Sequence, residues 1–512
     1  MRVCACLVAM CSAGFGQTVA FEAADVHASA KTQHPGMRMS ALAPEVYLVR
    51  QATMVDLIAA AYGVDASKVI GGPNWLELDQ FDVIAKAPAG SSQQAVRTML
   101  QALLADRFKL TVHPDSRPMA AFVLSAGNGK PKLKESDGVG PAGCQRQPGE
   151  GAEIRCHGLS METFAQQLHG LAGDYLQRQI VDQTKLAGTW DFTLKWTPRD
   201  GLAAAGGDGI TIFDAVENQL GLKLEAKQVA MPVLVVDRVN RQPTANPPET
   251  ASLPRPSAPA FEVATIKPTD PQFTGVTVQT PPNGQVRIQG LTMSYLIQTM
   301  WFLSPEQIAG APKWFDTDRW DITAKVATAA GGTPQMDADS LIAMMRTLLE
   351  ERFKLKTHFE ERIAPAYTLT AVKPKMQRAD ASERTGCKEG PGVDGKDPRV
   401  TNPARSRLAS CRNVTMAEFA AFLPIMANAL NSLNGVIRSE VQDATHLDGS
   451  YDFTLNWSLP SATQGRGPDA DPNGAITIEE AIASQLGLKL EVTKRPTQVL
   501  VIDHVEEKPV EN

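Results

Sequence analysis

Four short stretches of the chain share one hydrophobic plan. FDVIAK at 81–86, WDFTLK at 190–195, WDITAK at 320–325 and YDFTLN at 451–456 each run aromatic, Asp, apolar, β-branched, apolar, then Lys or Asn. Alternation of this kind predicts a strand with one buried face: Phe81, Val83 and Ala85 share a side, while Asp82, Ile84 and Lys86 share the other. Around these strands the period becomes helical. TMVDLIAAAY places Met54, Leu57, Ile58 and Tyr62 at helical spacing, and METFAQQL does so with Met161, Phe164 and Leu168. AVRTMLQALLADRF and IFDAVENQLG predict a second helix, with Met99, Leu100, Leu103 and Leu104 on one stripe. VIGGPNW and IAGAPKW predict a short strand and turn before the aromatic strand, and KLTVH with AAFVLSA predicts two closing strands. The order is helix, strand, strand, helix, strand, strand, which makes a small α+β unit of helices on one sheet.

The units come in pairs, and the pair is itself repeated. TMVDLI at 53 matches TMSYLI at 292, LLADRFKLTVH at 103 matches LLEERFKLKTH at 348, and QLGLKLE occurs at both 219 and 485. The Pro-rich stretch RQPTANPPETASLPRPSAPA separates the halves and suits an extended linker over about 241–259. The expected organisation is a module over about 21–240, with units near 45–135 and 158–240, and a second over about 260–508, with units near 285–378 and 413–506. In the second unit of each module the later helix ends in Gly221 or Gly487, suited to a left-handed cap. Arg107 and Arg352 stand at the matching positions of the first units, where their charge is expected to find a nearby acid.

Composition narrows the function classes. With 50 Lys and Arg against 56 Asp and Glu, the chain is mildly acidic and has no basic run interleaved with aromatics, which disfavours nucleic acid. Residues 1–16 have the layout of a cleaved secretory signal, and lipid attachment at Cys11 is the weaker reading because Met precedes it. No later stretch is apolar enough to span a bilayer, so an exported, periplasmic or secreted product is expected. Beyond the leader four cysteines remain, Cys144, Cys156, Cys387 and Cys411, in matched positions; an even count in an oxidising compartment predicts the pairs Cys144–Cys156 and Cys387–Cys411. A metal site is disfavoured, with no CxxC and no paired histidine near them.

Candidate chemistry is thin. One acid per unit, at Asp82, Asp191, Asp321 and Asp452, supplies no carboxylate pair, and a solvated or loop-pinning role is expected for each. Asp182 and Asp443 precede Thr in turns and suit Asx-type bonding. Asp237 and Asp503 interrupt apolar strands, which favours an edge or a structural partner. His113 and His358 end equivalent strands without a companion at ligand spacing. Trp75, Trp314, Trp196 and Trp457 read as core anchors, with ligand contact as the alternative. GxSxG, HExxH and GxxxxGK[ST] are absent, so no catalytic residue, cofactor or metal is assigned.

The stretches FEVATIKP, WFDTDRWDITAK, LLEERFKLKTHFEERIAPAYTL, LDGSYDFTLNW and AIASQLGLKLEVTKRPTQVLVIDHVEEKPVEN resemble the secreted, soil-bacterial family called domain of unknown function 3738, in two tandem copies from about residue 20 onward. The resemblance brings no activity with it. Through its element order it implies likeness to the short N-terminal domains of secretins and TonB-dependent receptors, and hence a non-catalytic docking or sensing role with an envelope or extracellular protein partner. The alternative is a small-ligand binder or hydrolase with a site between the units of one module, drawing on Asp237 or Asp503 with His113 or His358. Oligomeric state is not legible.

Overall fold

Each aromatic strand lies second in a four-stranded antiparallel sheet, and the four sheets share one strand order. The computed structural model describes residues 20–510 apart from 31, 33–35, 128, 149–150, 177, 256–259, 282, 327–336, 381–383, 393–396, 403, 428–436, 438 and 464–473. The predicted leader and Cys11 lie outside the described residues. The chain divides into two compact units: Met1–Lys31 with Pro35–Pro114 and Leu234–Pro256, and Thr32–His34 with Asp115–Val233 and Ser257–Asn512.

In the smaller unit the sheet order is Ala23–Ala28, Gln80–Lys86, Val46–Thr53, Arg38–Ala43. The larger unit repeats it three times. The first repeat runs Lys134–Glu135, Trp190–Trp196, Ala152–Leu159, Gly143–Arg146. The second runs Phe261–Pro268, Arg319–Val326, Gln285–Thr292, Thr277–Gln279. The third runs Gln377–Arg378, Ser450–Trp457, Arg407–Thr415, Gly386–Glu389. The expected α+β class is therefore observed, but the unit opens with strands ahead of its first helix, which the hydrophobic pattern did not show.

The strand before each helix carries a bulge. Pairing with the aromatic strand slips between Val49 and Ala52, between Ile288 and Leu291, and between Cys411 and Val414, and a slip also falls where Ala152–Leu159 meets Trp190. A left-handed residue sits at each slip: Gln51 (φ 53°), Gly158 (62°), Gly290 (80°) and Asn413 (49°). Two residues later a hydroxyl caps the helix, from Thr53, Ser160, Thr292 or Thr415. A fully buried Met follows in every copy, at Met54, Met161, Met293 and Met416. Bulge, cap and buried Met thus turn the chain from sheet to helix in the same way four times.

Four hydrophobic cores result, each joining an aromatic strand to its helices. Phe81 packs edge-on against Phe108, Phe164 against Phe192, Trp320 against Phe353, and Phe419 against Phe453, with ring centroids 4.8–5.0 Å apart. In the smaller unit Leu253 of the Pro-rich stretch also covers Val46, Leu48 and Ile84 on the sheet's other face.

The closing strands differ from expectation. What reads as two strands is one, Thr111–Ala126, Leu222–Arg238, Lys356–Ala371 or Leu488–His504. Lys356–Ala371 pairs with Leu488–His504 from end to end. Short strands add to these in parallel, with Val69 beside Leu234, Ile180 beside Phe122, Ile308 beside Leu500 and Gln442 beside Thr368. In the second half each copy's short strand therefore joins the other copy's closing strand, and the two copies interlock.

Arg107 is buried, and among the described residues its guanidinium hydrogen-bonds carbonyl, hydroxyl and amide oxygens rather than an acid. It donates to Ala24 O, to Thr244 O and Oγ1, and to Asn246 Oδ1, while Asn246 bonds both Val26 N and Val26 O. The Pro-rich stretch is in this way fastened to the first strand of the smaller unit. Arg352 likewise donates to Ala264 O and Val510 O. The left-handed caps that match Gly221 and Gly487 lie two residues further on, at Lys109 (φ 53°) and Lys354 (φ 51°). Lys109→Gly is expected to raise stability by about 0.5–1 kcal/mol, because glycine carries no Cβ penalty there. Thermal melting checks this, and a lowered Tm contradicts it.

Candidate functional site

The four repeated aspartates do the same structural job. Asp82 accepts from Gln51 N at 2.9 Å and from the Ser29 hydroxyl. Asp191 accepts from Gly158 N at 2.9 Å and faces His157 Nδ1 at 2.9 Å. Asp321 accepts from Gly290 N at 3.1 Å and Thr269 Oγ1 at 2.7 Å, and Asp452 from Asn413 N at 2.8 Å. Each carboxylate thus holds the N–H that the bulge removes from the ladder. The Gly158 N–H, with help from Ser136 and His157, keeps Asp191 below the usual carboxylate range. Asp182 and Asp443 make the Asx turns read from sequence, accepting from Thr184 N and Thr445 N at 2.8 and 2.9 Å.

The structure brings His113 together with Asp237 and His358 with Asp503. His113 Nδ1 stands 2.8 Å from Asp237 Oδ1, and His358 Nδ1 2.9 Å from Asp503 Oδ2. All four side chains are about half exposed, so the pairs are water-screened rather than desolvated. The Asp503 hydrogen bond raises His358 above the ordinary imidazole value of 6.5. A raised folded-state value means that the pair's stabilisation is complete below pH 6.5 and is lost as pH rises through the raised value. Asp503→Asn is expected to return the His358 midpoint toward 6.5 in an NMR titration; an unchanged midpoint contradicts the pairing.

The outermost hairpin strands divide into two kinds. Cys144 is bonded to Cys156, and Cys387 to Cys411, so Gly143–Arg146 and Gly386–Glu389 are each stapled to the neighbouring strand. Such bonds suit an oxidising, exported location. The matching strands of the other two sheets, Arg38–Ala43 and Thr277–Gln279, carry no cysteine. They expose apolar side chains instead: Met39 is 49% exposed, and Val276 beside the second strand 54%. An unstapled outer strand with exposed apolar residues can accept another strand.

Trp75, Trp196 and Trp457 are buried as expected of anchors, and Trp314 is partly buried. Among the described residues no helix is long and apolar enough to cross a membrane, and no group of three or more His, Cys, Asp or Glu could hold a metal ion. The family model described as Protein of unknown function (DUF3738) matches residues 55–239 and 294–505, once in each half. No curated protein and no solved structure matches the chain.

Proposed function

We propose, from the premise that this chain belongs to the family described as Protein of unknown function (DUF3738), that it is an exported, non-catalytic docking protein of the cell envelope. Its units, which the family resemblance likens to secretin and TonB-receptor N-terminal domains, form two modules over about 21–240 and 260–508. A partner protein adds a strand to the open outer strands. The observation that carries the reading is the contrast between outer strands: two are cross-linked to their inner neighbours by disulfides, whereas the equivalent two carry no cysteine and, among the described residues, expose apolar Met39, Val276 and Val278 at the edge. Backbone pairing along such an edge supplies affinity, and alternate side-chain pockets supply selectivity. The engagement of the repeated aspartates in bulge bonds supports a structural rather than a catalytic role for them.

Photo-crosslinking in cells tests this. A crosslinking residue at Val278 is expected to trap a discrete partner, and one at Lys388 on a stapled strand is not. Val278→Asp should abolish capture from a crosslinker at Gln279, because a charge on the edge blocks strand addition. Equal capture from positions 278 and 388, or none from 278 and 39, overturns the proposal.

A further inference from the structure

A cavity of about 600 Å³ lies within the larger unit, between equivalent positions of its two disulfide-bearing sheets. Arg146 and Glu389, which line it, each stand two residues after an outer-strand cysteine, and Ala152 and Arg407 each four residues before the partner cysteine. Trp196, Leu171, Pro198 and Leu459 supply the apolar part of its lining. Its volume is in the range of pockets that hold small organic ligands.

Among the described residues, opposite charges do not balance there. Arg399 is 2% exposed and forks onto Asp397, Nε to Oδ1 and Nη2 to Oδ2, both at 2.9 Å. Arg199, 4% exposed, brings Nη2 to 3.3 Å from the same Asp397 Oδ2. Its Nε donates to Asp174 O, and the guanidinium lies 4.4 Å from the Tyr175 ring centroid. Burial opposes the charge on Asp397, yet the Arg399 fork and the Arg199 charge keep it below the usual carboxylate range. One carboxylate is shared by two buried guanidiniums. Arg407, also buried, pairs with Glu389 at 3.1 Å, and Arg146 donates to Leu171 O at 3.0 Å. With Asp174 counted, four arginines face three carboxylates among the described residues. Among the described residues, Nη1 of Arg199 and Nη1 of Arg399 meet no acceptor.

A buried positive charge without a counterion is costly, and a planar guanidinium matches an oxyanion through two parallel N–H bonds. The surplus among the described residues is a single charge, which a monocarboxylate neutralises, whereas a phosphate monoester brings a charge of about −1.5 to −2 at neutral pH. The apolar lining calls for a hydrocarbon body. We propose that this cavity binds a small organic monocarboxylate, its head on Arg199 and Arg399 and its apolar body against Trp196 and Leu171. The site is independent of the docking edges.

Calorimetry on the full chain in low-chloride buffer tests it, with 4-phenylbutyrate as probe, 4-phenylbutyramide as the uncharged control and inorganic phosphate as an anion without a body. The carboxylate is expected to bind at least about tenfold more tightly than either control. Arg199→Gln removes the surplus charge but leaves the Arg399–Asp397 fork, and should weaken carboxylate binding about tenfold or more; Arg199→Lys should restore most of it. Three results overturn the proposal: equal binding of acid and amide, no binding of 4-phenylbutyrate at about 10 mM, or unchanged affinity in Arg199→Gln protein with a native circular dichroism spectrum.

Discussion

Asp321→Ala is expected to destabilise its sheet by about 2 kcal/mol, because it removes a charged acceptor from two donors at once. Gly290 N and Thr269 Oγ1 both lose their partner, and the first is a backbone donor at a bulge with no ladder acceptor to return to. Glycine at 290 cannot be exchanged for a residue that tightens the bulge by other means, since a Cβ there would meet Gly275 O. Asp321→Asn retains an acceptor oxygen and should cost about half as much. Urea unfolding followed through the buried Trp320 reports the effect, since the indole packs on Phe353 in the same core. A loss of no more than about 0.5 kcal/mol would mean a solvated acid, as for an ordinary surface substitution.

Removing the disulfides is the second large effect. The bonds close 12- and 24-residue separations, and the chain-entropy relation gives about 3 kcal/mol for loops of this size. Doubling the loop adds about 0.6 kcal/mol, so Cys387→Ser with Cys411→Ser should lower the melting temperature slightly more than Cys144→Ser with Cys156→Ser. The cysteines also fill space: Cys156 and Cys411 are 1% exposed and belong to the cores around Phe164 and Phe419. Differential scanning fluorimetry of the two double variants, with dithiothreitol on the parent, measures this. A loss below about 1 kcal/mol for both pairs contradicts a stapling role.

Much of the fold is legible where one face of an element is buried. Phe81, Val83 and Ala85 share one buried face as their alternation predicts, although Ile84 is also buried on the other face under Leu253, and Met161, Phe164 and Leu168 keep helical spacing. The pre-helix strands escape notice because the bulge shifts the phase. In Val46–Thr53 the buried residues are Val46, Leu48, Val49, Gln51 and Ala52, a sequence that fits neither period two nor a helix. The closing strands are missed for the opposite reason. Between His358 and Arg362 no side chain is buried on either face, so the periodic signal lapses and one strand reads as two. The fate of Arg107 depends on Thr244 and Asn246, 137 and 139 residues away, and no local pattern discloses carbonyls as its partners. The same holds for the cavity: Arg199 and Asp397 lie in irregular segments of different halves, and only the folded chain sets them side by side. The matched cysteines and the Asx turns at Asp182 and Asp443 by contrast follow from residue type and repeated position, whereas His113 and His358 read as lone strand ends and only the folded sheet sets them beside Asp237 and Asp503.

That one sheet-to-helix device has been copied four times is tested most directly by amide hydrogen exchange at Gln51, Gly158, Gly290 and Asn413. None of these N–H groups belongs to a regular ladder, and each is held by the aspartate of its own aromatic strand. All four should exchange as slowly as neighbouring strand amides, and each Asp→Ala substitution should release the amide of its own copy while leaving the other three protected. Free exchange at any of the four in the parent protein, or protection that survives loss of its aspartate, would contradict the shared device.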